Sequence, residues 1–252
     1  MHEQKWYLDN AMMLRIPMII GILSCIIVLQ IVFSLLELKK TVSISRTLIA
    51  KTTPFRLVSA NADLPVLVLG DSTAVGVGAN QTSESLPALF AAHVGATMVE
   101  NYASSGATVV ELSSQIARAE RSHYRYILVQ IGANDVTSFH AAGNTARLLE
   151  AQLATLPAHD HLVVLMAGNV GGAPAIPWFL KAYFHRQSVH FHAAFKEVVE
   201  AQGGTYVELY DPPDTDPFIR NPLQYFAPDG FHPSSLGYKL WFEKLKKQVP
   251  EN

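Results

Sequence analysis

The chain has 252 residues, a formal net charge of -2 at pH 7 and 49% hydrophobic residues, which suits one membrane segment followed by one globular domain. Lys and Arg are scattered along the chain instead of clustered, so the charge pattern excludes an electrostatic case for DNA or RNA binding. The one cysteine, Cys25, lies in an apolar run near the N-terminus. A disulfide, a cysteine nucleophile and a cysteine-based zinc site are therefore excluded in the globular part.

The apolar run, IPMIIGILSCIIVLQIVFSLL, covers residues 16–36 without a charged residue, and residues 1–15 form a flank before it. At about 1.5 Å per residue, a helix of this length crosses a hydrocarbon core of about 30 Å, so the run predicts a transmembrane helix. A cleaved signal peptide is the alternative. Its apolar core is usually shorter, about 7–15 residues, and it ends at small residues, whereas ELKK follows here.

The side of the membrane on which the rest of the chain lies is left open by the flanking charges. More basic residues follow the run than precede it: Lys39, Lys40, Arg46 and Lys51 against Lys5 and Arg15. This asymmetry favours the cytoplasm, but a large domain is translocated largely regardless of such charges.

Residues 37–63 carry no sustained apolar period and are predicted to be a juxtamembrane linker, with a domain over 64–252. In this domain short β-branched runs alternate with helical patterns. Strands are predicted at 66–70, 97–101, 126–131, 161–168 and 205–210, and helices near 86–93, 109–120, 144–155, 178–201 and 235–248. Continuous apolar strands separated by helices predict an α/β domain with a five-stranded, mostly parallel sheet that is covered on both faces.

Polar clusters follow three of the predicted strands. Ser72 comes in GDST directly after the first strand, Gly106 in SSGAT after the second, and Asn134 in GAND after the third. Each cluster taken alone is explained by an ordinary turn. Because the carboxyl ends of parallel strands meet at one edge of a sheet, where ligands bind, the three clusters are expected at a common edge.

A further polar block, DGFHP, precedes the last predicted helix and contains Asp229 and His232. Their spacing lets a carboxylate accept a hydrogen bond from one imidazole nitrogen while the other nitrogen faces the sheet edge. That is the arrangement which the general base of a serine nucleophile needs.

Together, GDST, SSGAT, GAND and DGFHP resemble the blocks of the SGNH hydrolases, also called the GDSL esterase and lipase family, in the same order. The resemblance spans about residues 65–245, nearly all of the predicted domain. It implies a flavodoxin-like three-layer α/β/α domain. It also implies that Ser72 is the nucleophile, His232 the general base and Asp229 the group that orients it, with an oxyanion hole from the N–H groups of Ser72 and Gly106 and the side-chain amide of Asn134.

One departure from the family pattern affects the second block, which often has an asparagine shortly before its glycine, where this chain has Ser104 and Ser105. The α/β-hydrolase fold is the alternative enzyme class. Its nucleophile turn needs Gly, Ser and Gly at alternate positions, whereas this chain has Gly70, Ser72 and Ala74.

The loop GNVGGAPAIPWFLKAYF, residues 168–184, follows the fourth predicted strand and contains Ile176, Trp178 and Phe179. These side chains are candidates for an acyl pocket, although packing at the start of a helix explains them equally well.

The sequence therefore predicts a membrane-anchored serine esterase that works through an acyl-enzyme and needs neither metal nor cofactor. Acyl esters of lipids or lysophospholipids are the favoured substrates, because the anchor places the domain beside a bilayer. An acetyl ester on a carbohydrate or cell-envelope polymer is the alternative, and transfer of the acyl group to an alcohol stays open. A catalytically silent, anchored binding module is the hypothesis from another class, and the full set of Ser72, Asn134, Asp229 and His232 argues against it.

Overall fold

The computed structural model describes residues 2–59 and 63–249, with side chains from residue 17 onward. The described part of the chain forms two compact units, divided between Lys40 and Thr41. Residues 60–62 of the predicted linker and 250–252 of the predicted domain lie outside the described residues, as do residue 1 and the side chains of the predicted flank.

The first unit consists of the N-terminal part of helix α1, which runs from His2 to Lys51. Within the described residues, one helical stretch, Pro17–Lys51, is long and apolar enough to cross a membrane, and its most apolar 18-residue window has a mean hydropathy of 2.8. Length and composition support a span here, and a signal sequence near an N-terminus has the same properties.

The last residues of α1 belong to the second unit, where Leu48 and Ile49 pack against the core of the domain. Leu57 also pairs with Val99 in an isolated antiparallel bridge. Part of the interval that the sequence predicts as a linker is thus helical and packed, because its apolar residues find a partner in the folded domain.

The second unit contains a parallel sheet of five strands in the order β2-β1-β3-β4-β5, a flavodoxin-like order. The strands are β1 (Pro65–Gly70), β2 (Met98–Asn101), β3 (His123–Gln130), β4 (Ala158–Leu165) and β5 (Thr205–Val207). The fold class predicted from the sequence is therefore confirmed.

Helices cover both faces of the sheet. The helices after α1 are α2 (Ser72–Val75), α3 (Leu86–His93), α4 (Leu112–Ile116), α5 (Ala133–Thr137), α6 (Ala142–Leu153), α7 (Trp178–Ala201), α8 (Pro217–Arg220), α9 (Pro222–Tyr225) and α10 (Ser235–Leu245). Because successive residues of a strand point to opposite sides, Ile127 of β3 joins the core formed with α6 and α7, whereas its neighbour Leu128 joins the core formed with α3 and α10.

The elements differ from the predicted ones mainly at their ends. The helix predicted over 109–120 is a short 3₁₀ turn, Val109–Glu111, followed by α4. The short helices α2, α5, α8 and α9 are not visible in the sequence pattern, because four or five residues are too few to show an amphipathic period. Two of them, α2 and α5, begin directly after β1 and β3 at the carboxyl edge of the sheet.

Candidate active site

The turn after β1 carries Ser72 and depends on Gly70. Gly70 has a φ of +137°, and a Cβ on it would lie 1.9 Å from the carbonyl oxygen of Gln130, so glycine is required at this position. Asp71 then caps α2, because its Oδ1 accepts hydrogen bonds from the N–H and the hydroxyl of Thr73 at 2.8 and 2.7 Å. Ser72 is the first residue of α2 and is only 5% exposed.

The side chain of Gln115 fixes the backbone just before this turn. Its Oε1 accepts the N–H of Gly70 at 2.7 Å and its Nε2 donates to the carbonyl of Gly70 at 2.9 Å. The register of β1 with β2 ends at Val68 and Asn101, and beyond it the backbone of Gly70 bonds the Gln115 amide and the N–H of Ser104, which donates to the Gly70 carbonyl at 3.0 Å. Gln115 is not among the predicted site residues, because a lone polar residue in a helical segment has no pattern that indicates a role in the site.

The Asp229 and His232 pair is buried and tightly hydrogen-bonded. Asp229 Oδ2 lies 2.6 Å from Nδ1 of His232, and its Oδ1 accepts the N–H groups of Phe231 and His232 at 3.0 and 3.1 Å. Burial alone would raise the pKa of Asp229, but these hydrogen bonds outweigh it and hold the pKa below its usual value. An ionised Asp229 keeps the proton of neutral His232 on Nδ1, which leaves Nε2 free to accept a proton.

The structure brings Ser72 together with this pair. His232 Nε2 lies 2.9 Å from Ser72 Oγ, although 160 positions separate the two residues in the sequence. The side chains form a continuous hydrogen-bonded series from Asp229 through His232 to Ser72. In this arrangement the imidazole is within reach of the hydroxyl proton, as general-base activation of a serine requires.

Asn134 lines the same cleft as Ser72 and His232. It lies in α5, and its Nδ2 donates one hydrogen bond to the carbonyl of Ala107 at 2.9 Å, so the second amide hydrogen is available to another acceptor. Among the described residues, the backbone N–H of Ser72 has no hydrogen-bond acceptor either. Both residues line the cleft, and each keeps a donor that no described residue accepts.

Gly106 is placed differently from the other predicted site residues. It is exposed, has a φ of +85°, and is not among the residues that line the cleft. Its loop is nevertheless bonded to α5, which carries Asn134: the Asn134 side chain donates to the carbonyl of Ala107, and Asp135 Oδ2 accepts the N–H of Val109 at 3.1 Å. The oxyanion role of Gly106 stays a prediction.

The residues proposed for an acyl pocket do not line this cleft. Ile176 is buried in the core against α7, whereas Trp178 and Phe179 are 53% and 39% exposed at the start of that helix. The loop 168–184 does line the cleft, but through its first residues, from Gly168 to Ala173. Further apolar lining comes from segments that sequence spacing could not bring together: Leu209, Phe218, Phe226, Phe231 and Trp241. The cleft is small, with a volume of about 50 Å³.

His192 of α7 is hydrogen-bonded to backbone that forms one wall of the cleft. Its Nε2 lies 3.1 and 3.2 Å from the carbonyl oxygens of Ala167 and Gly168, which line the cleft. Its Nδ1 lies 2.9 Å from Glu208 Oε1 and 2.7 Å from the hydroxyl of Tyr206. Burial opposes ionisation of Glu208, yet the contact with His192 keeps the pKa of this carboxyl below its usual value.

Comparison with known proteins identifies the family. The model of the GDSL-like lipase/acylhydrolase family matches residues 68–240. Because this match covers more than half of the chain, the chain belongs to that family. The family is described as one of lipases and acylhydrolases, and the similar proteins include esterases and a lipase.

A curated relative is a GDSL-like esterase of Mycobacterium tuberculosis, which is 27% identical over 189 residues. The aligned region is 71% of this chain but 59% of that protein, so the chain spans less than two thirds of the relative's length.

Solved structures show the same fold at low sequence identity. An acetylxylan esterase from Geobacillus stearothermophilus, in a catalytic mutant form, has a TM-score of 0.54 and 17% identity, and the match covers 77% of this chain and 98% of that one. An extracellular lipase from Streptomyces rimosus has a TM-score of 0.53 and 19% identity, over 74% of this chain and 100% of that one.

Proposed function

We propose that this chain is a serine esterase that hydrolyses carboxylic esters through an acyl-enzyme on Ser72. The observation that carries the proposal is the hydrogen-bonded series in which Ser72 Oγ lies 2.9 Å from His232 Nε2, and His232 Nδ1 lies 2.6 Å from Asp229 Oδ2. Membership of the GDSL-like family supports ester chemistry independently of this geometry.

In the first half of the proposed cycle, His232 Nε2 takes the hydroxyl proton as Ser72 Oγ attacks the ester carbonyl carbon. The carbonyl electron pair moves to oxygen, and a tetrahedral oxyanion forms. Asp229 stabilises the imidazolium through its short hydrogen bond to Nδ1. The imidazolium then gives its proton to the leaving alcohol oxygen as the ester C–O bond breaks, which leaves an acyl group on Ser72.

The oxyanion is proposed to be stabilised by three donors, which are the N–H groups of Ser72 and Gly106 and the free amide hydrogen of Asn134. Each donor of this kind contributes about 3–4 kcal/mol to lowering the barrier when it is aimed at the developing charge before reaction. The bond from Asn134 to the carbonyl of Ala107 holds the amide plane in place for this purpose.

In the second half, His232 accepts a proton from water, the water oxygen attacks the acyl carbon, and Ser72 leaves with the proton that returns from the imidazolium. The products are a carboxylic acid and an alcohol. If an alcohol takes the place of water, the same steps transfer the acyl group to that alcohol.

The size of the cleft favours a short acyl group such as acetyl. Its volume of about 50 Å³ is well below the roughly 300 Å³ at which sites for drug-sized ligands begin. An acetyl ester on a carbohydrate or cell-envelope polymer therefore fits the cleft, with the bulk of the polymer outside it. One of the fold relatives is an acetylxylan esterase, which has this kind of substrate.

An acyl ester of a lipid or lysophospholipid is the second candidate. The apolar run 16–36 supports it, since we propose that this run anchors the domain at a membrane. The aromatic lining of the cleft is also compatible with an aliphatic chain, and another fold relative is a lipase.

A series of 4-nitrophenyl esters from acetate to palmitate, assayed with the full chain in detergent micelles, tests the proposal. The value of kcat/KM is expected to be highest for the shortest acyl groups and to fall as the chain lengthens. A maximum at the long esters would favour the lipid substrate instead. Failure of the folded protein to hydrolyse any member of the series would refute the esterase assignment.

A further inference from the structure

Two hydrogen-bond acceptors in the cleft lack side-chain partners. Asn169 Oδ1 is buried and, among the described residues, accepts no hydrogen bond. Asp216 is only 5% exposed, and no described side chain donates to its carboxylate. Both residues line the cleft that contains Ser72.

The backbone explains only part of the position of Asp216. Its Oδ1 caps α8 by accepting the N–H of Phe218 at 2.8 Å. Burial nevertheless raises the pKa of Asp216 above its usual value, and the nearby carboxylate of Asp211 adds to this. The nearby cation, Lys244, lies 2.7 Å from Asp211 and bonds the carbonyl of Leu209, so it does not pair with Asp216 directly.

The surroundings of the two acceptors are apolar. Leu209, Phe218, Phe226 and Trp241 line the same cleft. Small-molecule sites are commonly built in this way, with apolar walls and a few polar groups that orient the ligand. A buried acceptor without a partner, such as Asn169 Oδ1, is uncommon in folded proteins, and a donor on a bound molecule would satisfy it. The Asp216 carboxylate already accepts the N–H of Phe218 and can accept a further donor.

On this basis we infer that the preferred ester carries a hydroxyl group on the portion that enters the cleft, and that Asp216 accepts its hydrogen bond, with Asn169 Oδ1 as a second acceptor in the same cleft. The inference rests on the proposed esterase function and names its substrate class, which is a short ester of a hydroxy acid or of a polyol. A site built to bond a hydroxyl discriminates strongly against the analogue that lacks it, because the buried acceptors are then left unpaired.

The test compares matched ester pairs that differ by hydroxyl groups, using the full chain in detergent micelles. Methyl lactate against methyl propionate places the hydroxyl on the acyl side, and glycerol monoacetate against propyl acetate places hydroxyls on the alcohol side. The ratio of kcat/KM within each pair is divided by the ratio of the alkaline hydrolysis rates, which removes intrinsic reactivity. The normalised preference for the hydroxylated ester is expected to be roughly tenfold or more in at least one pair.

The variant Asp216→Asn keeps an oxygen that can cap α8 but removes the carboxylate charge. It is expected to lower the preference by roughly tenfold, as for the loss of one charged hydrogen bond. The matched control is Asp214→Asn, an exposed carboxylate two positions earlier, which is expected to keep the wild-type preference.

If Asp216→Asn does not fold, Asn169→Leu gives the second test. This near-isosteric change is expected to lower the preference without lowering the thermal midpoint, whereas a purely structural Asn169 would lower the midpoint.

Each outcome separates the inference from the proposed function. Hydrolysis of 4-nitrophenyl acetate with no preference in either pair overturns the hydroxyl site but leaves the esterase intact. An unchanged preference in folded Asp216→Asn and Asn169→Leu also overturns it. A preference for acetylcholine over 3,3-dimethylbutyl acetate, with no hydroxyl preference, would assign the carboxylate to a cation instead. A folded wild type that is inert on every ester overturns both.

Discussion

The two sides of the candidate site are held in place to different degrees. On the nucleophile side, Gln115 bonds both backbone groups of Gly70, Asp71 caps α2, and the hydroxyl of Tyr238 donates to the carbonyl of Val77 at 2.7 Å, all in the interior. On the opposite side, Gly106 is exposed, and a Cβ on it would meet no atom within 4 Å.

The difference indicates where preorganisation is concentrated. The hydroxyl of Ser72 and the imidazole of His232, which we propose exchange a proton, lie on backbone that cannot shift without breaking buried hydrogen bonds. The loop of Gly106 is held through its neighbours: α5 bonds it at Ala107 and Val109, and the N–H of Ser104 donates to the carbonyl of Gly70 at 3.0 Å. Variants on the two sides should therefore affect chemistry and stability unequally, and the largest effect is expected at the nucleophile.

Replacement of Ser72 by alanine removes the group that forms the acyl-enzyme. We expect kcat to fall by roughly 10⁴-fold or more, as when a member of a catalytic triad is deleted. A fluorophosphonate probe should no longer label the protein, while the circular dichroism spectrum is unchanged. The matched control is Ser104→Ala, an exposed serine on the Gly106 loop, which should still be labelled. Labelling of Ser72→Ala at the wild-type rate would contradict the assignment.

Replacement of Asn134 by alanine deletes a donor but keeps the nucleophile and the base. We expect kcat to fall by roughly 10²- to 10³-fold with little change in KM, because the donor acts mainly on the transition state. Slow fluorophosphonate labelling should survive, in contrast to Ser72→Ala. Asn144→Ala, on the exposed surface of α6, is the control. A rise in KM alone would show that Asn134 contacts the substrate and is not part of an oxyanion hole.

Alanine at Gly70 and at Gly106 compares the stability of the two sides directly. Both glycines have positive φ, but only at Gly70 would a Cβ collide with backbone, at 1.9 Å from the carbonyl oxygen of Gln130. We expect Gly70→Ala to lower the free energy of unfolding by at least about 3 kcal/mol, or to prevent folding. Gly106→Ala should cost only about 1–2 kcal/mol, the strain of the left-handed conformation. Equal decreases of the thermal midpoint in Gly70→Ala and Gly106→Ala would contradict the expected difference in stability.

The charge of Asp71 is expected to change the free energy of unfolding only over a limited range of pH. Burial raises its pKa from 3.8 to about 6. A carboxyl with a raised pKa in the folded state costs nothing while protonated, so the wild type should lose stability as the pH rises from about 4 to 6 and no further above that. The loss is at most about 3 kcal/mol by the size of the shift.

Asp71→Asn keeps an oxygen that can accept from Thr73 but cannot ionise. Its thermal midpoint relative to the wild type should therefore rise between about pH 4 and pH 6 and then level off. Asp214→Asn, at an exposed position, should show no such change. A pH-independent difference between Asp71→Asn and the wild type would show that the buried charge has no cost.

Much of the fold and of the site can be predicted from the sequence because the informative signals are local. Runs such as VLVLG and YILVQI are buried strands of the sheet, and the four blocks follow strands or precede the last helix. Ser72 and Asn134 converge because parallel strands end at one edge. Topology therefore predicts the shared edge for Ser72 and Asn134, whereas the place of His232 and the proposed roles come from the resemblance of the four blocks to the family.

The cleft could not be predicted in the same way, because its walls are set by packing between distant segments. The sequence places Ile176 and Trp178 in a loop that is predicted to line the site, yet Ile176 lies in the core and Trp178 is exposed. Phe218 and Trp241 instead pack against each other, with ring centroids 5.7 Å apart, and line the cleft. Gln115 escaped prediction for the same reason, since its partner Gly70 is 45 positions away.

The hydrogen bond between His232 and Ser72 joins residues 160 positions apart. Protein synthesis proceeds at about 5–20 residues per second, so roughly 8–32 s pass between the synthesis of the serine and that of its base. The apolar helix is made first and can engage a membrane during this interval, while the serine hydroxyl still lacks the imidazole. The proposed ester hydrolysis thus becomes possible only once His232 has been made, well after the apolar helix.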